Sequence, residues 1–380
     1  MKLLIIQPYL NIKGGVERVI LEIAKHYGAT IYTTEYDKNA TFEGFKDVDI
    51  KIVGKDVPLA DRLPYRASQG LRYGYNFYHM KITEDYDVAN PHISPSEWIR
   101  HKNERVLWYC HTPPREVYDL YAVRMMQRSY KEKMLYAAMT GAYKVIAKNI
   151  VKNIEEVAAN SQITRQRIKK YYSKESTVIN PGVDYEKFKD NGDGKYFLYP
   201  SRFVVNKRQE YVINAFKKYV KETKSKHSLV LAGTLSKDPE HMRYMRHLKS
   251  IAGSSNIKFI SNPGDKKLTE LYSNSTAVLF AAINEDFGIV PLEGMASSKP
   301  VISVNEGGPT ETIINGKTGF LVNSYSDMAE RIKQIAENPS IAKKMGKAGR
   351  ARVIKHYSWQ SFFESFDKLA QTVAKGKKSK

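Results

Sequence analysis

The sequence predicts an α/β protein of two parallel-sheet domains, and three observations carry that prediction. The 380 residues are long for a single core, so two domains of ordinary size are expected. The chain opens as a strand, a glycine turn and an amphipathic helix, the beginning of a Rossmann half. Further on, Ala277 to Val322 reads as strand, turn, short helix, strand, Gly-rich loop and a final turn into a strand. Apolar runs such as Ala277 to Ala282 suit parallel strands, which are buried on both faces.

Composition narrows the class. A hydrophobic share of 42% and a charged share of 27% are those of a soluble globular protein. A single cysteine, Cys110, excludes an internal disulfide and any Cys-rich metal site. Leu3 to Ile6 reads as a strand, too short for a signal peptide, and no run approaches the ~20 apolar residues of a spanning helix. The formal charge of +21 calls for an anionic partner: nucleic acid, nucleotide or acidic lipid.

In order along the chain, Lys2 to Pro8 is a strand, Gly14-Gly15 a turn, and Val16 to His26 a helix. Ala29 to Thr34 and Ile50 to Val53 read as further strands, and residues 55–82 as a loop and an aromatic helix. Asp47-x-Asp49 and Asp85-x-Asp87 match a metal-binding pattern, but each stands just before a strand, where a turn acid is ordinary, so no metal is assigned. Val106 to Cys110 is a strand ending in His111-Thr112-Pro113-Pro114-Arg115, and a neutral imidazole at a strand end can hydrogen-bond a sugar hydroxyl. Residues 115–174 are strongly basic. Arg124, Arg128, Lys131 and Lys133 alternate there with Met125, Met126, Met134 and Leu135 on one expected helix. Two readings of that helix stay open, a solvated face and a membrane-surface helix.

The Pro181-Gly182 turn is the expected domain boundary. Strand Tyr196 to Pro200 then leads to Arg202 and Lys207, in a loop before helix Gln209 to Tyr219. Leu229 to Gly233 and Ile257 to Ser261 are strands, the latter followed by the turn Asn262 to Asp265. After Ala277 to Ala282, the amides of Gly288, Ile289 and Val290 fall at a helix start beyond a strand end, where α/β sheets bind phosphate. Glu285 and Glu293 frame that helix start. A carboxylate there suits vicinal hydroxyls, each able to donate to it, so a ligand with phosphate and sugar diols explains the set. The plainer reading makes Glu293 a helix-dipole partner and Glu285 a solvated loop acid. The chain closes with a basic helix (Ile341 to His356), helix Gln360 to Ala374 and the basic tail Lys375 to Lys380.

Glu285-x7-Glu293 enclosing Phe287-Gly288, followed by Pro300-Val301-Ile302, Gly307-Gly308-Pro309-x-Glu311 and Gly316-x-x-Gly319-Phe320-Leu321-Val322, resembles the donor signature of family-four retaining glycosyltransferases. The resemblance covers about the whole chain. It implies the GT-B fold, two Rossmann-like parallel-sheet domains facing across a cleft, with a C-terminal helix crossing back to the first. The expected divisions are an acceptor-side domain at 1–184, a nucleotide-sugar domain at 185–356, and the crossover helix and tail at 357–380. By the same resemblance Arg202 and Lys207 hold the donor diphosphate, and Gly15 approaches the phosphate. Phe287 to Val290 line the donor site, Glu293 takes the ribose diol and Glu285 the hydroxyls of the transferred sugar. Tyr109-Cys110-His111-Thr112-Pro113-Pro114-Arg115 resembles the mannosyltransferase-like branch, whose aligned His contacts the transferred sugar.

The implied activity is retaining hexosyl transfer, by front-face attack and without an obligatory metal, to a glycan or lipid-linked acceptor. GDP-mannose is the first-choice donor and a UDP-hexose the second. The expected place of work is cytoplasmic, at the inner face of the cell membrane if the basic helix touches anionic lipid. Two rivals are a nucleotide-sugar epimerase and a basic nucleic-acid-binding protein. No zinc spacing or aromatic RNA signature supports the latter, so no nucleic-acid partner is expected.

Overall fold

The computed structural model describes residues 1–126 and 128–376, and residues 377–380 of the expected basic tail lie outside the described residues. The chain forms two compact α/β units. One holds Met1–Asn180 together with the chain from Phe363 onward, and the other holds Pro181–Phe362.

In the first unit, β1 (Leu3–Leu10), β2 (Thr30–Tyr36), β3 (Ile50–Ile52) and β4 (Val88–Pro91) make a parallel sheet in the order β3-β2-β1-β4. A second sheet contains β5 (Leu107–Cys110), β6 (Glu156–Ala159) and β7 (Thr177–Val178), in that order. A parallel bridge between Ala89 and Val106 joins the two sheets. The chain thus winds outward from β1 in one direction and from β4 in the other. Leu4, Ile6, Phe77, Ala89, Trp108 and Val151 are buried together at the centre of this unit.

The second unit has β8 (Tyr196–Pro200), β9 (Ser228–Gly233), β10 (Ile257–Ser261), β11 (Ala277–Phe280), β12 (Val301–Val304) and β13 (Gly319–Val322). All pairings are parallel, in the order β10-β9-β8-β11-β12-β13. Renumbered within the unit this is 3-2-1-4-5-6, the doubly wound Rossmann order. Its inward side chains, among them Phe197, Leu229, Leu279 and Ile302, are fully buried, each stabilising by about 1.5–3 kcal/mol.

The last helix, Trp359–Ala374, ends the chain within the first unit. There Phe363 stacks on His26 with ring centroids 3.7 Å apart, and Tyr27 donates to Asp367.

One expected element differs. The single basic helix around Arg124–Leu135 is two helices, Tyr121–Met126 and Tyr130–Asn153. The cause is local: the Glu132 carboxylate takes the Ser129 N–H at 2.9 Å and starts the second helix there. Met126 and Met134 are exposed, whereas Met125 and Leu135 are half-buried.

Candidate active site

In an open α/β sheet, ligands bind at the carboxyl ends of the strands where the winding reverses. In the second unit the reversal falls between β8 and β11. The loops leaving these two strands are 201–208 and 281–288, which carry Arg202, Lys207, Glu285, Phe287 and Gly288. Topology therefore brings together residues that stand some eighty positions apart in sequence.

The two loops are tied to each other. Ile283 N–H donates to Asn206 O at 3.0 Å, and Arg208 Nε to Ala281 O at 2.7 Å. Lys207 Nζ lies 2.6 Å from Glu285 Oε2. The Tyr199 hydroxyl donates to the Lys207 carbonyl, which fixes the backbone beneath that ion pair. Arg202 is exposed, and among the described residues its guanidinium makes no ion pair, so it remains open to an anion.

A third loop presses on the second. Gly308 N–H donates to Glu285 O at 2.7 Å. A Cβ on Gly307 would sit 2.5 Å from Glu285 backbone atoms, and one on Gly308 would sit 2.1 Å from Phe287 O. These glycines serve close approach of chain to chain. Gly319 is alike, because its Cβ would come within 2.3 Å of Val301 O.

Gly288, at φ +86°, precedes the helix Ile289–Ala296. A first helical turn offers no intrahelical acceptor for its amides, so those at Gly288, Ile289 and Val290 stay available to phosphate oxygens. The Phe287 side chain is buried in the core and packs on Tyr357, which leaves only its backbone to face a ligand. Glu293 is the fifth helical residue, one past the expected first turn. Its Oε2 accepts from the Tyr272 hydroxyl at 2.5 Å. Tyr272 and Arg208 orient the site and were missed in the sequence, because each acts through a partner distant along the chain.

In the first unit the winding reverses between β1 and β4. Gly15 follows β1 as the exposed first residue of the helix Gly15–Tyr27. His111 follows β5 and is 8% exposed, and burial holds its imidazole neutral, with its pKa lowered to about 3. Its ring meets that of His92, Nε2 to Nδ1 at 3.0 Å, and Thr164 Oγ1 donates to its carbonyl. The second acid of each Asp-x-Asp pair has a structural partner: Asp49 accepts from the Thr30 hydroxyl and Asp87 from the Lys2 amide.

A helix start with free amides, two cations and two carboxylates thus gather at a Rossmann switch point. Residues 184–352 match the family described as glycosyl transferases group 1. The second unit thus carries the match to that family's model, and the chain has the GT-B fold. Among curated proteins it is 26% identical to alpha-1,3/1,6-mannosyltransferase ALG2 of Dictyostelium discoideum, over 97% of each chain. Among solved structures it is similar to a glycosyltransferase from Rickettsia africae, at TM-score 0.72 and 20% identity over 99% of each chain. It is also similar to Anabaena HepE in complex with UDP-glucose, at TM-score 0.73 and 16% identity, over 98% of this chain and 100% of that one.

Proposed function

We propose that the protein transfers mannose from GDP-mannose to a glycan or lipid-linked acceptor, with retention and without an obligatory metal. The observation that carries this reading is the full-length likeness to a mannosyltransferase. Cleavage of the bond between the anomeric carbon and phosphate oxygen puts negative charge on the departing diphosphate. Arg202, Lys207 and the amides of Gly288 to Val290 stabilise that charge as it grows. Glu293, aimed by Tyr272, takes the ribose diol, and Glu285 takes hydroxyls of the transferred sugar. Gly15 approaches phosphate, and His111 accepts from a sugar hydroxyl. The acceptor hydroxyl attacks from the face the diphosphate leaves, and its proton passes to the departing phosphate oxygen.

Calorimetry tests the donor. GDP-mannose should bind the wild type, and Glu293→Gln should weaken it by about 1.5–3 kcal/mol, the range for a hydrogen bond to a charged group. Binding of UDP but not GDP would overturn the base assignment, and an unaffected Glu293→Gln would displace the diol site. Appearance of mannose on an acceptor separates this reading from an epimerase.

The same proposal places the enzyme at an anionic membrane surface on the cytoplasmic side. No helix among the described residues is long and apolar enough to cross a membrane. On the helix Tyr130–Asn153, however, Tyr130, Met134, Ala138, Gly141 and Val145 are exposed along one face, continued by Lys148 and Lys152. Arg124 is occupied by Glu116, and Arg128 lies over the Tyr136 ring, so other cations face lipid. Each basic side chain near an anionic leaflet contributes about 1 kcal/mol. Sedimentation with phosphatidylserine vesicles should therefore fall with salt, and fall again when Lys131, Lys148 and Lys152 become Ser and Met134 and Val145 become Ser. Equal recovery with and without anionic vesicles would leave the enzyme off the membrane.

A further inference from the structure

His92 follows β4 directly, at the winding reversal of the first unit, and none of the sugar-site assignments includes it. Its side chain is 1% exposed and its backbone is held on three sides. His92 N–H reaches Ile6 O and Ser96 Oγ, each at 3.1 Å, and its carbonyl accepts from Trp108 Nε1 at 3.1 Å. Two further hydrogen bonds run through its ring. His92 Nε2 lies 2.9 Å from Asn90 Oδ1, and His92 Nδ1 lies 3.0 Å from His111 Nε2.

The direction of each proton follows from chemistry. Asn90 Nδ2 is 2.6 Å from the Leu107 carbonyl, which can only accept, so that end of the amide is the donor and Oδ1 faces His92. Oδ1 in turn can only accept, so His92 Nε2 carries a proton. A fully buried imidazole with no carboxylate in contact is neutral and carries one proton, so His92 Nδ1 is bare. The proton between the two rings then belongs to His111 Nε2. His111 is itself neutral, and its Nδ1 is left as a lone pair.

We propose that His92, fixed by Asn90, is a positioning residue that sets the tautomer of His111, so that His111 Nδ1 meets sugar only as a hydrogen-bond acceptor. This rests on the reading that His111 contacts a sugar hydroxyl. Such a site selects a hydroxyl with a proton to give, and it rejects an ether or deoxy position there, because a buried acceptor would be left unpaired.

Long-range 1H–15N correlation of the nine histidines in the full chain tests the relay directly, with assignments from His92→Asn and His111→Gln. The expected spectrum of the wild type shows His111 and His92 both protonated on Nε2. A proton on His111 Nδ1 would overturn the proposal. His92→Leu should give His111 as a mixture of tautomers and lower kcat about tenfold, the worth of one ordered hydrogen bond, with GDP affinity unchanged. His92→Asn returns an acceptor oxygen near the position of Nδ1 and should restore most of kcat. Loss of kcat in His111→Gln with none in His92→Leu would overturn the relay. Unchanged turnover in His111→Gln itself would instead remove the underlying sugar contact, while the tautomer measurement still judges the relay.

Discussion

Lys207→Ala should slow transfer by about 10²–10³-fold, the loss expected when one preorganised donor to a developing negative charge is removed. Thermal stability should change far less. The Tyr199 hydrogen bond is made to the backbone carbonyl of Lys207 and survives the substitution. Glu285 loses its partner, but its side chain is 29% exposed and can recover water, so the stability cost is about 1 kcal/mol or below. Before donor binds, the Lys207 charge is balanced by Glu285 at 2.6 Å. When a diphosphate arrives, the ammonium can bridge carboxylate and phosphate, with more of its charge drawn to phosphate as the sugar departs. The loss therefore belongs in kcat more than in KM. Glu285→Gln in the Lys207→Ala background should cost less than Glu285→Gln alone, because the two act as a pair. Steady-state rates for the four proteins measure this, and wild-type turnover by Lys207→Ala would move the diphosphate elsewhere.

Much of this site is legible in the sequence, because its parts lie next to strands that announce themselves. Strands buried on both faces are continuous apolar runs, so Tyr196–Pro200 and Val301–Val304 have the bounds expected of them. Arg202 and Lys207 follow one such strand, and Glu285 and Gly288 follow another. What local sequence does not hold is the order of strands in the sheet, and that order alone makes the two loops neighbours. His92 was missed for the same reason: Asn90-Pro91-His92 reads as a strand end, and its chemistry comes from Leu107 and His111 across the sheet. The break before Tyr130 is legible in the sequence, since Ser129-x-x-Glu132 is a helix-start pattern. The basic run has the spacing of one helix face, whereas the capping acid decides where the helix begins.

The Gly-Gly-Pro loop carries the other large effect, Gly308→Ala, which should cost about 3 kcal/mol of stability in the second unit, the upper end of the overpacking range. Gly308 has φ −54° and ψ −32°, where alanine is at ease, so backbone strain contributes nothing. The whole cost is space: the new methyl would lie 2.1 Å from Phe287 O and 2.4 Å from Phe287 C. Those are backbone atoms of the loop that presents Glu285 and Gly288, and they cannot step aside as a flexible side chain would. Relief requires the 281–288 loop to shift, which also lengthens the 2.7 Å bond from Gly308 N–H to Glu285 O. Donor affinity should therefore fall by about tenfold or more, because phosphate-binding amides displaced by even a fraction of an ångström lose their hydrogen-bond geometry. Gly316→Ala is the contrasting control. Gly316 has φ +75° and open space around its would-be Cβ, so alanine there should cost about 1–2 kcal/mol of backbone strain and leave donor affinity intact. Thermal unfolding and donor calorimetry on both variants separate the two causes. Wild-type donor affinity in Gly308→Ala would show that the loop bearing Glu285 and Gly288 is not where the nucleotide sugar sits.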